Sequence, residues 1–155
     1  MTPAILALER AGVTHRTLDY EHDPDAPAYG TEAVEALGLD PAAVHKTLVV
    51  VLADGRHAVA VVPVAAQLDL KACARALGAK RASLAEVADA ERLTGYVVGG
   101  ISPLGQRRRL PTVVDEGIMA LDEVFVSAGR RGLEVALAPD ALLAAVDATT
   151  APLTA

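Results

Sequence analysis

Apolar positions recur along this chain in short blocks whose period changes at turn residues. Thr2-Pro3 sets a capping hydroxyl beside a proline at the first helical position. Ile5, Leu6 and Leu8 then supply an apolar face and Gly12 a stop, so a first helix is expected between them. Val13 to Tyr20 alternates (Val13, His15, Thr17 against Thr14, Arg16, Leu18, Tyr20), which predicts a strand ending at Tyr20. A polar loop from Glu21 to Gly30 leads to a second helix, opening at Thr31 and closing at Gly38. Asp40-Pro41 starts a short turn that delivers Val44-His45-Lys46 into the run Thr47-Leu48-Val49-Val50-Val51-Leu52. That run predicts a central strand covered on both faces. Asp54-Gly55 marks a hairpin, with His57–Val62 returning alongside.

In the second half, Asp69 caps a helix through Leu77 that stops at Gly78, and Ser83-Leu84-Ala85-Glu86 reads as a capping box opening a helix to about Leu93. The strand-like pair Val97-Val98 runs into Gly99-Gly100, Ser102-Pro103 and Gly105. Strands are expected at Thr112–Val114, Glu123–Ser127 and, after the Gly129–Gly132 turn, Leu133–Leu137. Pro139 opens a last helix with Leu142, Leu143 and Val146 inward, and the tail after Thr149 is expected to be loose. Helices and hairpins are interspersed, which favours a mixed α/β sheet over a doubly wound parallel one.

Composition narrows this picture. At 155 residues the chain has the length of one ordinary domain, and its 52% apolar content is mostly Ala, Val and Leu, so the core is built from small aliphatic side chains. No apolar run approaches the roughly 20 residues needed to span a bilayer, and a soluble cytoplasmic protein is expected. The single Cys73 excludes an internal disulfide framework. A net charge of −6 argues against broad binding along a nucleic-acid backbone. The local clusters Lys80-Arg81, Arg107-Arg108-Arg109 and Arg130-Arg131 still allow contact with one end of a nucleic acid.

Little in the chain offers a nucleophile or a metal site. Cys73 falls in line with Leu70 and Leu77 on one helical face and reads as a core thiol. Ser102 lacks the spacing of a hydrolase elbow, and the proline after it opposes the sharp turn an elbow needs. The four histidines show no paired ligand spacing, and no phosphate-loop or dinucleotide fingerprint is present. The loop from Val97 to Asp115 is either a tight connection or a cradle of backbone N–H groups for a small polar ligand. Lys46, at the mouth of the most apolar strand, is either a solvated strand-start residue or a fixed ammonium beside that cradle. Glu134 lies in a strand whose neighbours are apolar and reads as an exposed alternate position, and Tyr20 and Tyr29 bracket a loop that they either pack or use to close a pocket.

Several ordered motifs bear on these alternatives. Tyr20-Glu-His-Asp-Pro24, Tyr29-Gly30, Lys46-Thr47-Leu48, Gln67-Leu-Asp-Leu-Lys71, Thr94 to Gln106 and Arg131-Gly-Leu133 together resemble the YbaK-type bacterial Cys-tRNA(Pro) deacylases, relatives of the editing domain of bacterial prolyl-tRNA synthetases. The resemblance covers nearly the whole chain, residues 1–155 as one editing domain. It implies an α/β fold with a central mixed, strongly curved β-sheet flanked by helices. It also implies a trans-editing enzyme that removes cysteine misattached to tRNA(Pro), with the substrate's own thiol attacking the ester. The sister activity on alanyl or other small aminoacyl-tRNA, and a non-catalytic adaptor, are the alternatives. Under this resemblance Lys46 is the essential residue, and Tyr20, Thr47, Gly99 and Gly100 line the pocket for the aminoacyl-adenosine end. Ser127 falls at a matching serine, Tyr29 replaces a usual phenylalanine, and Glu134 replaces a usual aspartate. No cofactor, metal or membrane is implied; the partners are a tRNA acceptor end and, by the same resemblance, prolyl-tRNA synthetase.

Overall fold

A computed structural model describes residues 1–26 and 30–155; Tyr29 lies outside the described residues. The chain forms α1 (Pro3–Ala11), β1 (Arg16–Asp19), α2 (Thr31–Leu37), β2 (His45–Leu52), β3 (His57–Pro63), α3 (Leu70–Ala76) and β4 (Ala82–Leu84). There follow α4 (Val87–Thr94), β5 (Thr112–Asp115), a 3-10 turn (Glu116–Ala120), β6 (Val124–Arg130), β7 (Leu133–Leu137), α5 (Pro139–Val146) and β8 (Thr149–Ala151). The fold is α/β, with a five-stranded mixed sheet in the order β4-β2-β3-β5-β8 and a three-stranded antiparallel sheet in the order β1-β7-β6.

Local chemistry accounts for most of these elements. Thr2 caps α1 through its side chain, which accepts from the Ile5 N–H, and Gly12 ends the helix in the left-handed region. Asp69 accepts from Lys71 and Ala72 at the start of α3. Gly55, at φ 90, turns the β2–β3 hairpin. On one face of the large sheet, Val59, Val61 and Val114 pack with α1, α5 and the inner side of β6 and β7. On the other, Val50, Leu52, Val62 and Val113 pack with Cys73 of α3 and with Leu153.

Four expectations change. Ser83 does not cap a helix: it pairs with Val51 as part of the edge strand β4, and α4 starts at Val87 after Glu86, which makes no side-chain cap bond. The sheet ladder outcompeted a capping pattern that residues 83–86 satisfy only in sequence. Val97 and Val98 form a turn, closed by the Gly100 N–H on the Val97 carbonyl at 2.8 Å. The tail after Thr149 is a strand, pairing in parallel with β5, and it inserts Leu153 into the core with no exposure. β2 is not the central strand: β3 holds that place, β2 lies second beside the short edge strand β4, and its Lys46, Thr47 and Leu48 are only half-buried.

Candidate active site

Those half-buried residues mark a split between the two sheets. β2 and β6 meet where Val44 bridges Phe125, the Phe125 N–H donating to the Ala43 carbonyl at 3.0 Å. Among the described residues no further pairing joins these strands. On the same edge β4 covers β2 only at Val50–Leu52, and the Ala85 N–H reaches the Val49 carbonyl at 2.9 Å. The bonds Val64 N–H to Val44 O and Leu52 N–H to Arg56 O, both 2.8 Å, direct the even-numbered residues of β2 toward β3. The odd-numbered residues therefore turn their backbone groups to the split edge, and at Thr47 that edge has no strand beside it.

A cavity of about 200 Å³ occupies the split. Tyr20, Lys46, Thr47, Gly99, Ser127 and Glu134 all border it, so the residue just after β1 and residues from β2, the glycine loop, β6 and β7 are brought to one place. Gly100 is not among the lining residues. It is buried behind Gly99, where a Cβ would lie 2.8 Å from the Arg130 Cα, so its lack of a side chain lets the loop seat against the β6–β7 hairpin. Sequence reasoning had not placed His45, Leu84, Val87, Ala90 or Ile101 at the site, although all border the cavity. The Leu84 and Val87 positions were hidden by the mistaken helix start; Arg130 had shown only in a basic pair, and Arg131 in that pair and in the Arg131-Gly-Leu133 motif, neither as a site residue.

The glycine loop is held from several sides. Its Gly99 sits at φ 100, a conformation that favours glycine. The Val98 N–H donates to Glu91 of α4 at 2.8 Å, and the Tyr96 hydroxyl donates to the Leu104 carbonyl at 2.6 Å. Burial pushes the Tyr96 phenol up to about 12, so it stays a donor at any ordinary pH. Ser127 donates to the Gly100 carbonyl at 3.1 Å and accepts from the Gly129 N–H at 3.1 Å. Its hydroxyl is thus committed to joining the loop to β6, next to the register shift between Ser127 and Arg130.

Electrostatics in the cavity are set by burial. It lowers the Lys46 ammonium below its ordinary pKa, and no carboxylate forms an ion pair with Lys46 among the described residues. Burial raises the Glu134 carboxyl to about 8, which leaves it mostly protonated at neutral pH and able to donate a hydrogen bond. The Tyr20 phenol is also raised, chiefly by burial, with nearby Glu134 adding to the effect. The Thr47 Oγ1 and His45 Nε2 atoms are buried without a hydrogen-bond partner. Unpaired groups of this kind cost roughly 1–3 kcal/mol each, a cost that a ligand or ordered water in the cavity would remove. Among the described residues no group of three or more His, Cys, Asp or Glu side chains is placed to hold a metal ion. Cys73 is buried against α3's side of the sheet, away from the cavity lining.

Comparison with known proteins agrees with this architecture. The model of the aminoacyl-tRNA editing domain matches residues 23–145. An Enterococcus faecalis protein described as a "putative Cys-tRNA(Pro)/Cys-tRNA(Cys) deacylase" is 34% identical over 153 residues, covering 99% of this chain and 93% of its own. A crystal structure described as a "putative trans-editing enzyme for prolyl tRNA synthetase" superposes with a TM-score of 0.86 at 27% identity, over 99% of this chain and 95% of the other. A crystal structure of a hypothetical protein gives 0.88 at 25% identity, over 99% of each chain. Matches of this extent, in sequence and in fold, place the chain in the aminoacyl-tRNA editing-domain family.

Proposed function

We propose that residues 1–155 act as one trans-editing unit that removes cysteine wrongly esterified to tRNA(Pro), in the cytoplasm and alongside prolyl-tRNA synthetase. The observation that carries the reading is the sheet-split cavity, which gathers an ammonium, an unpaired strand edge and a glycine backbone around a space sized for a small aminoacyl group. At about 200 Å³ the space is below the usual range for whole-ligand pockets, so only the acyl end enters and the rest of the tRNA stays outside.

In this mechanism Lys46 attracts the ester or phosphate oxygens of the terminal nucleotide, and the backbone at Thr47 and Gly99 fixes the acyl group. The cysteine thiol of the substrate attacks its own ester carbonyl. The S–C bond forms as the ester C–O bond breaks, the thiol proton passes to the departing ribose oxygen, and the tRNA leaves with a free hydroxyl. The cyclic thioester then hydrolyses in water. Orientation of this kind is worth roughly 7–11 kcal/mol at its best. The Ser127 hydroxyl, bound on both sides, is left in a structural role.

Deacylation of proline tRNA carrying cysteine, alanine or serine tests the reading. Rapid loss of cysteine, with serine and alanine near their spontaneous rates, is expected because a hydroxyl is a far weaker nucleophile than a thiol. Alanine released as fast as cysteine would sink the thiol-assisted step and favour a deacylase for small aminoacyl groups. No turnover of any ester would leave a binding adaptor.

A further inference from the structure

Residues 70–85 contain Lys71, Arg75, Lys80 and Arg81 and no acidic residue, in a chain whose net charge is −6. All four are exposed, and none takes part in an ion pair among the described residues. They converge because α3 and β4 are adjacent: the four, with Leu70, Ala79 and Ala82, border an open groove of about 560 Å³. The groove is separate from the sheet-split cavity but shares a strand with it. β4 borders the groove at Ala82 and the cavity at Leu84, with Ala85 following. From Arg81 to Ala85 an extended chain spans roughly 13 Å. Along that path Leu84 and Val87 are each 58% exposed, an apolar rim between the charges and the cavity.

We infer that the Lys71, Arg75, Lys80 and Arg81 groove holds backbone phosphates of the tRNA acceptor end while its aminoacyl terminus occupies the cavity, the intervening nucleotides crossing the Leu84–Val87 rim. The inference rests on the proposed deacylase reading and assigns it a docking surface. Four unpaired cations on an otherwise acidic protein suit a polyanion, and they concentrate its field at one end of the strand leading to the cavity. The apolar rim suits nucleobases, which present faces to apolar surface where phosphates do not.

The test uses the full chain and uncharged proline tRNA, followed by fluorescence anisotropy over a range of salt. Two double variants remove the same net charge: Lys80→Ala/Arg81→Ala in the groove and Arg108→Ala/Arg109→Ala outside it. The groove variant is expected to weaken binding at least fivefold and to flatten the slope of log Kd against log salt by about one per lost contact. The outside variant is expected to change Kd by less than twofold. Thermal melts report whether each variant remains folded, and adding Lys71→Ala or Arg75→Ala singly repeats the test from the α3 side. Equal weakening by both double variants reduces the effect to net charge and overturns the inference, as does an unchanged Kd for the groove variant. Binding is read without turnover, so a wild-type protein that binds tRNA through the groove but cleaves no ester refutes the deacylase reading alone. With active protein, the groove variant should raise KM for charged tRNA and leave kcat within twofold.

Discussion

Gly100→Ala probes the joint between the glycine loop and the β6–β7 hairpin. The new methyl would stand 2.8 Å from the Arg130 Cα, 3.1 Å from the Arg130 carbonyl carbon and 3.1 Å from the Arg131 nitrogen. Carbon atoms in contact prefer about 3.5–4.0 Å, so the loop and the hairpin must part by roughly 1 Å. Both are backbone, and no side-chain rotation relieves the clash. Parting them stretches the 3.1 Å bond from Ser127 to the Gly100 carbonyl and carries Gly99 away from Lys46's side of the cavity. Overpacking of this size costs about 1–3 kcal/mol. A misplacement of about 1 Å at an orienting site costs on the order of 10²-fold in rate. Gly38→Ala is the matched control. At φ 65 with nothing near its Cβ, it is strained by conformation alone, at roughly 1–2 kcal/mol, and lies outside the cavity lining. The assay is kcat/KM for release of cysteine from proline tRNA, paired with thermal unfolding of both variants. Both should lose stability, and only Gly100→Ala should lose catalysis. Wild-type kcat/KM in Gly100→Ala, or a loss no greater than in Gly38→Ala, would refute the argument that this contact positions the cradle.

Lys46→Ala is expected to lower kcat/KM for charged tRNA by about 10²–10³-fold, the range for removing one electrostatic contact to a reacting group. Its unfolding temperature should fall little, since the half-buried ammonium has no ion-pair partner among the described residues; single-turnover rates and a melt together check this. Glu134→Gln tests the buried carboxyl. With the folded pKa near 8 against an ordinary 4.5, the native state holds a proton that the unfolded state has released, so wild-type stability falls as pH rises between those values. The fall is at most about 1.4 kcal/mol per pH unit, and the glutamine variant should lack it; urea unfolding at pH 5 and pH 8 reads the difference, and parallel curves would deny the shift. Leu153→Ala should destabilise the fold by about 2–5 kcal/mol, because the side chain is fully buried two residues beyond β8. An unfolding midpoint equal to wild type would mean that the C-terminal strand does not close the core.

Elements specified by contiguous residues were legible before any coordinates: Thr2-Pro3 to Gly12, Asp54-Gly55 and Asp69 to Gly78 each carry their own start or stop signal. The errors fell where a distant partner decides. Ser83 has good capping chemistry, but Val51, a neighbour only in the folded chain, offers it a sheet ladder. Thr149–Ala151 looked like a tail because the strand that receives it, β5, is more than thirty residues earlier. The same limit applied to the site. Lys46 and Gly99 could be named from the motifs that carry them. The cavity between them could not, because it arises from β2 and β6 parting after one bridge, and no local signal encodes where two strands stop pairing. Glu134 shows the limit at one residue: an isolated carboxyl between leucine and valine reads as an outward position, yet β7 lies between β1 and β6 with every residue from Leu133 to Leu137 buried.

A sheet that splits is an economical way to make a site without adding a side-chain nucleophile. An intact edge between β2 and β6 would satisfy the Thr47 backbone permanently and leave no space; a wide separation would flood it with water and dissipate the field of Lys46. The single bridge at Val44 and Phe125 fixes the closed end of the wedge, the Ala85-to-Val49 bond fixes the other, and the interval between them exposes one residue's main chain. That geometry favours an occupant which brings its own reactive group and needs only to be held: the Ser127 hydroxyl is already engaged, and the Thr47 hydroxyl, though unpartnered, has no hydrogen-bonded base to activate it. It also makes selectivity depend on the occupant's chemistry more than on the shape of the walls. Filling the wedge should therefore block the site more completely than removing any one contact. Thr47→Val replaces the unpartnered hydroxyl with a methyl at nearly constant volume, so it should spare or raise stability while lowering turnover modestly. Gly99→Val would instead place a branched side chain at φ 100 beside the same space and should abolish turnover. A Gly99→Val protein that still releases cysteine at the wild-type rate would show that the acyl group is held somewhere other than this split.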